Sequence, residues 1–180
     1  AWTEVNDLNT ARAALAGSGS STAALASAGA APPSSNVGNV ESWNGSSWTE
    51  IAEVNTGRSE DPGAGGSNTS AVFFGGNPSV NNTETWNGTS WTEVNNLNTT
   101  RDGMGMFGTT TSAMAAAGTS PGYDKCETWN GTSWTEVGDL NTGRKIFTGA
   151  GANNTSALAF SGQGPPNTGA TELWDGTSWT

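Results

Sequence analysis

Trp-Thr-Glu recurs at Trp2, Trp48, Trp91 and Trp134, and Trp179-Thr180 begins another copy, so the successive spacings are 46, 43, 43 and 45 residues. A chain with so regular a period folds as an array of one supersecondary unit, because a unit of that size cannot bury its apolar face alone. The 180 residues hold four such units, which is the size of one domain with a real core.

Nine tryptophans supply that core. A ring that buries roughly 150–250 Å² at about 25 cal/mol per Å² contributes about 4–6 kcal/mol, an upper bound against an extended unfolded chain. Repeated aromatics are therefore structural first. The net charge of −10, with only six Lys and Arg, argues against a nucleic-acid partner, since phosphate contacts need clustered cations. Cys126 is the one cysteine, so no disulfide forms within the chain. No run of about 20 apolar residues is present to span a bilayer as a helix, and no membrane partner is expected.

Within each unit polarity alternates with period two, as in Thr83-Glu84-Thr85-Trp86 and Trp91-Thr92-Glu93-Val94, which predicts half-buried strands. Asn87-Gly88 between these runs is a strong hairpin signal, repeated after Trp43 and Trp129 and replaced by Asp175-Gly176 after Trp174. Two further runs per unit are rich in small residues, such as Gly103 to Phe107 and Ser112 to Ala116. Each unit thus reads as four short strands. In order they are a small-residue inner strand, a second ending at glycine, a third carrying Glu-x-Trp and an outer one carrying Trp-Thr-Glu.

Ala71-Val72-Phe73-Phe74-Gly75-Gly76, then Glu84-Thr85-Trp86, Trp91 and Asn98-Thr99-Thr100-Arg101, resembles the kelch repeat. The resemblance covers all four units. It departs where the double glycine becomes Ala28-Gly29, Ala117-Gly118 and Ser161-Gly162, and where Trp43, Trp86, Trp129 and Trp174 stand at the usual tyrosine position. It implies an all-β propeller of four four-stranded antiparallel blades around an axis, on which small inner strands relieve crowding. The blades fall at about 11–54, 55–97, 98–140 and 141–180, the last completed by residues 1–10 so that the termini meet in one blade. A self-closed monomer is the first expectation. Part of a longer array, or two chains assembling through terminal strands into a larger ring, are the alternatives.

Unit lengths vary in one place only. The paired tryptophans are always five residues apart, Trp48 to Arg58 and its counterparts ten, and the arginine is seventeen residues before Gly29, Gly75, Gly118 and Ser161. From the second strand to the third-strand tryptophan the count is fourteen, eleven, eleven and thirteen. Strand alternation puts these loops on the same end as the connections between blades. A rigid scaffold with unequal loops on one face suits ligand binding, although surface loops also tolerate insertion without any ligand. The candidate binding residues are Asn36, Asn77, Asn81, Tyr123, Asp124, Lys125, Gln163 and Asn167, with Tyr123, the only tyrosine, foremost.

Arg12, Arg58, Arg101 and Arg144 recur with two glutamate series, Glu41, Glu84, Glu127, Glu172 and Glu4, Glu50, Glu93, Glu136. Identity in every unit points to a structural tie through Arg-carboxylate pairs. The repeated Trp43, Trp48, Trp86, Trp91, Trp129, Trp134 and Trp174 are structural by the same reasoning. Glu60, Asp61 and Asp102 are the unrepeated acids that a glycosidase reading would use. With no histidine, His-based triads, imidazole zinc sites and the copper chemistry of galactose-oxidase relatives are excluded, and no metal or cofactor is expected. The Asn/Thr/Ser/Gly-rich style is similar to propeller segments of bacteriophage virion and tail-associated proteins. That resemblance implies a non-enzymatic structural or binding module, extracellular or virion-associated, facing a surface glycan or protein. A carbohydrate-active enzyme and an engineered propeller without a natural ligand are the alternatives.

Overall fold

The computed structural model describes all residues except Ser34, Asp61, Pro62, Ser120, Pro121 and Pro165, with the backbone alone for Gly63, Ala64 and Thr148. The first sheet orders β1 (Ala16–Ser20), β2 (Ala23–Ser27), β5 (Val40–Trp43) and β6 (Trp48–Ile51), with a small hairpin of β3 (Ala30–Ala31) and β4 (Ser35–Asn36) in its loop. The second holds β7 (Gly63–Ser67), β8 (Ser70–Phe74), β9 (Thr83–Trp86) and β10 (Trp91–Val94). The third holds β11 (Gly105–Thr109), β12 (Ser112–Ala116), β13 (Cys126–Trp129) and β14 (Trp134–Val137). The fourth holds β15 (Thr148–Asn153), β16 (Ser156–Phe160) and β17 (Thr171–Trp174). All pairings are antiparallel, and the four sheets are arranged as a four-blade β-propeller.

The Asn-Gly hairpins set the register. Asn44, Asn87 and Asn130 each accept backbone N–H groups two and three residues on through Oδ1, and the following glycine takes a positive φ of 92–96°. The turn makes Trp43 and Trp48, Trp86 and Trp91, and Trp129 and Trp134 direct cross-strand partners, their rings 5.3–5.4 Å apart.

Each blade has two chemically distinct faces, because the pleat sends alternate residues to opposite sides. The leading face, toward the preceding blade, carries the tryptophans: Ala71, Phe73, Trp86 and Trp91 in the second blade. The trailing face carries Val72, Phe74 and Thr83. Three buried clusters result. Leu25 and Val40 meet Phe73 and Trp91; Val72 and Phe74 meet Trp129 and Trp134; Met114 and Cys126 meet Trp174 and Trp179. Val54, Leu97 and Leu140, from the connections between blades, close the three clusters.

A chain of corners links the blades near their inner strands. Ala14, Glu60, Gly103 and Ile146, each two residues after the repeated arginine, share a left-handed φ of 52°, 57°, 56° and 46°. Glu60 N–H donates to Ala14 O, Gly103 to Glu60 and Ile146 to Gly103, at 3.1, 3.3 and 2.7 Å. The series ends there. Among the described residues no hydrogen bond, ion pair or buried cluster joins the fourth blade to the first.

The expected completion of the fourth blade by residues 1–10 is corrected by the structure. Trp179 pairs with Trp174, their rings 5.4 Å apart, and Leu173 and Thr180 exchange backbone hydrogen bonds at 2.8 and 2.9 Å. With that position filled by the adjoining segment, which needs only a five-residue hairpin, Trp2 lies fully exposed. Residues 1–8 form no strand.

Candidate functional site

The repeated charges build one clamp per blade. Asn55 donates its backbone and side-chain N–H to Glu84, both at 2.7 Å, and Arg58 pairs with the same carboxylate at 3.1 Å. Asn9 and Arg12 hold Glu41, Asn98 and Arg101 hold Glu127, and Asn141 and Arg144 hold Glu172. Each arginine also donates to strand-two or loop carbonyls, as Arg58 Nη2 does to Phe73 O at 3.3 Å and Arg101 Nη1 to Lys125 O at 2.8 Å. The clamp ties the incoming connection to the third strand, and its arginine and glutamate side chains are almost wholly buried beneath the exposed asparagines. Burial pushes the Arg58 guanidinium below its ordinary pKa, against the pull of Glu84, and its Cζ lies 4.2 Å from the Phe73 ring centre. The asparagines of these clamps were legible as a recurring Asn three residues before each arginine, a signal the charge pattern alone overlooks.

The loops after the second strands share one end with the connections. Ser59 pairs with Asn77, Lys145 with Gln163 and Ala13 with Ala30 as isolated bridges. Two of the amides singled out from sequence, those of Asn36 and Asn81, are spent on that framework. Asn36 donates to Asn77 O at 2.6 Å and accepts from Ser59 Oγ at 2.8 Å, and Asn81 donates to Leu97 O at 3.1 Å. Lys125 turns away to Asp139 at 2.6 Å, which raises its pKa.

Tyr123, Asp124, Gln163 and Asn167 do come together, between the loops of the third and fourth blades. Tyr123, Asp124, Asn141, Thr142, Asn167 and Thr168 line a depression of about 530 Å³. Tyr123, Lys145, Gln163 and Gly164 line an adjoining one of about 210 Å³. The Tyr123 residue is 42 % exposed, so an aromatic surface stands beside amide and hydroxyl groups and one ammonium. Lys145 was absent from the sequence candidates; its place follows once the connection and the loop are known to pair.

The unrepeated acids behave differently. Asp102 is buried and accepts hydrogen bonds from Ser79 Oγ at 2.6 Å and from Thr119 Oγ1. Glu60 is exposed at its blade corner, and Asp61 lies outside the described residues. Among the described residues no three His, Cys, Asp or Glu side chains converge as a metal site. Burial pushes the Cys126 thiol up to about 11, so it stays protonated in the core between the third and fourth blades. No protein-family model matches the chain, and no curated protein matches it.

Proposed function

We propose that the chain is a non-enzymatic binding module, surface- or virion-associated, that offers the unequal loops of one propeller face to a glycan. The observation that carries this reading is the Tyr123 depression. A half-exposed ring flanked by Asp124, Asn141, Thr142 and Asn167 supplies an apolar platform for a sugar face and polar groups for its hydroxyls. The kelch-like repeat pattern and the similarity to phage virion propellers support the setting, on residues alone, and agree with a net charge that disfavours nucleic acid.

The test is a microbial surface-glycan array probed with the labelled chain and with Tyr123→Ala. A subset of glycans should be retained, with at least roughly tenfold loss in the variant, the worth of about 1.4 kcal/mol. The variant should keep its melting temperature, because the ring is not part of a core cluster. No retained glycan, or retention that ignores Tyr123, would contradict the reading.

A further inference from the structure

The seam between the fourth and first blades carries the same two faces that bury one another at the other three interfaces, yet here both are uncovered. On the trailing side of the fourth blade, Leu173 is 49 % exposed, Thr171 and Ala150 are exposed, and Leu158 and Phe160 are half-buried. The third-blade counterparts of Thr171, Ala150, Leu158 and Phe160, which are Cys126, Phe107, Met114 and Ala116, are all buried, and that of Leu173, Thr128, is half-buried. On the leading side of the first blade, Leu8, Leu15, Ala24 and Trp48 are half-buried, whereas Leu97, Met104, Ala113 and Trp134 at the same repeat positions are buried.

Backbone spacing agrees. A Cβ on Gly149 would collide with the Phe107 ring of the preceding blade at 1.9 Å, while one on Gly17, the matching glycine, would meet nothing within 4 Å. Hydrogen bonding agrees as well. Trp91 donates its indole N–H to Ala52 O and Trp134 to Thr83 Oγ1, each at 3.0 Å across an interface. The Trp48 indole has no such partner among the described residues. Thr171, which occupies in the fourth blade the place of Thr83 in the second, has no indole hydrogen-bonded to it among the described residues.

We propose that a second copy of this chain fills the seam, its first blade seated against the fourth blade of the other, and the reverse at a second seam. Continuity with the three established interfaces argues for this occupant: the missing surface on each side is the one found at the other end of the same chain. Two copies give eight blades, the upper end of the usual propeller range, and a third would exceed it. A two-fold axis through the ring centre then closes the assembly without free faces. In each seam Trp48 Nε1 donates to the partner's Thr171 Oγ1, repeating the Trp134–Thr83 bond. All loops stay on one end, so the ring doubles the loop face and any ligand site on it.

Light scattering and sedimentation equilibrium of the 180-residue chain test this. The expected mass at high concentration is twice 18.2 kDa, falling to 18.2 kDa on dilution. Leu173→Glu places a charge on an exposed position and should hold the chain at the single mass with an unchanged circular dichroism spectrum. Thr171→Val should weaken pairing by roughly tenfold or more, because the ring contains two copies of the lost bond. The proposal is overturned by a single mass up to about 1 mM, the weak limit of specific pairing. It is overturned equally by growth beyond two copies, or by a pair that tolerates Leu173→Glu.

Discussion

Trp48 and Trp91 begin the same outer-strand sequence, pair with the same tryptophan across the same turn, and differ only in what stands in front of them. Trp91 meets the first blade: it is 7 % exposed, shares a buried cluster with Leu25 and Val40 and donates to Ala52 O. Among the described residues Trp48 meets no neighbouring blade and stays half-buried against the Trp43 ring. Burial in a repeat array is a property of the neighbour, not of the residue. A repeat position therefore has no single energetic worth.

The largest effects should sharpen that contrast. Trp91→Ala should cost about 3–5 kcal/mol in urea unfolding, for the buried ring and the cavity it leaves, at every protein concentration. Trp48→Ala should cost about 1–2 kcal/mol of fold stability in the unpaired chain, mainly its contact with Trp43. Losses within about 0.5 kcal/mol of each other would break the comparison. Arg101→Ala should cost about 3–5 kcal/mol, since it strands Glu127 in a site with almost no solvent access.

Smaller effects follow at two turns. Gly75→Ala should destabilise by about 1–3 kcal/mol, because the new Cβ would lie 2.9 Å from Arg101 O and 2.1 Å from Met104 Cε at a φ of +63°. Ala28 and Ala117 hold the matching left-handed φ of 56° and 57°, so conformation alone is tolerable there and the clash is what distinguishes the second blade. Asp175→Asn should be smallest. The backbone N–H groups of Ser178 and Thr177 hold the Asp175 carboxyl below its ordinary 3.8. A depressed carboxyl stabilises the fold above the unfolded value and loses that contribution as pH falls through the folded one. Asparagine, already present in the other three turns, should leave the melting temperature at pH 7 unchanged and flatten its fall below about pH 4, read by calorimetry.

Much of the fold was legible because each signal was local. Period-two alternation and Asn-Gly placed the hairpins, and the alternating strand direction placed loops and connections on one end. The binding candidates were only partly legible. Asn36 and Asn81 look from sequence like ligand contacts, but an amide in a loop satisfies backbone equally well, and here the framework takes them, while Asn77 enters it through its backbone. Trp2-Thr3-Glu4-Val5 reads as a strand, yet a strand needs an edge, and Trp179 occupies the one beside Trp174. Nothing in the residues themselves marks Trp48 as different from Trp91, since the distinction lies wholly in tertiary arrangement.

Indole N–H exchange followed by NMR tests that distinction most directly, using the Leu173→Glu chain, which keeps the seam open. Trp91 and Trp134 should exchange slowly, limited by separation of the blades across which they are hydrogen-bonded, while Trp48 exchanges at the rate of a solvated indole. Equal protection of Trp48 and Trp91 in that chain would contradict the account, because it would mean that the first blade is already covered.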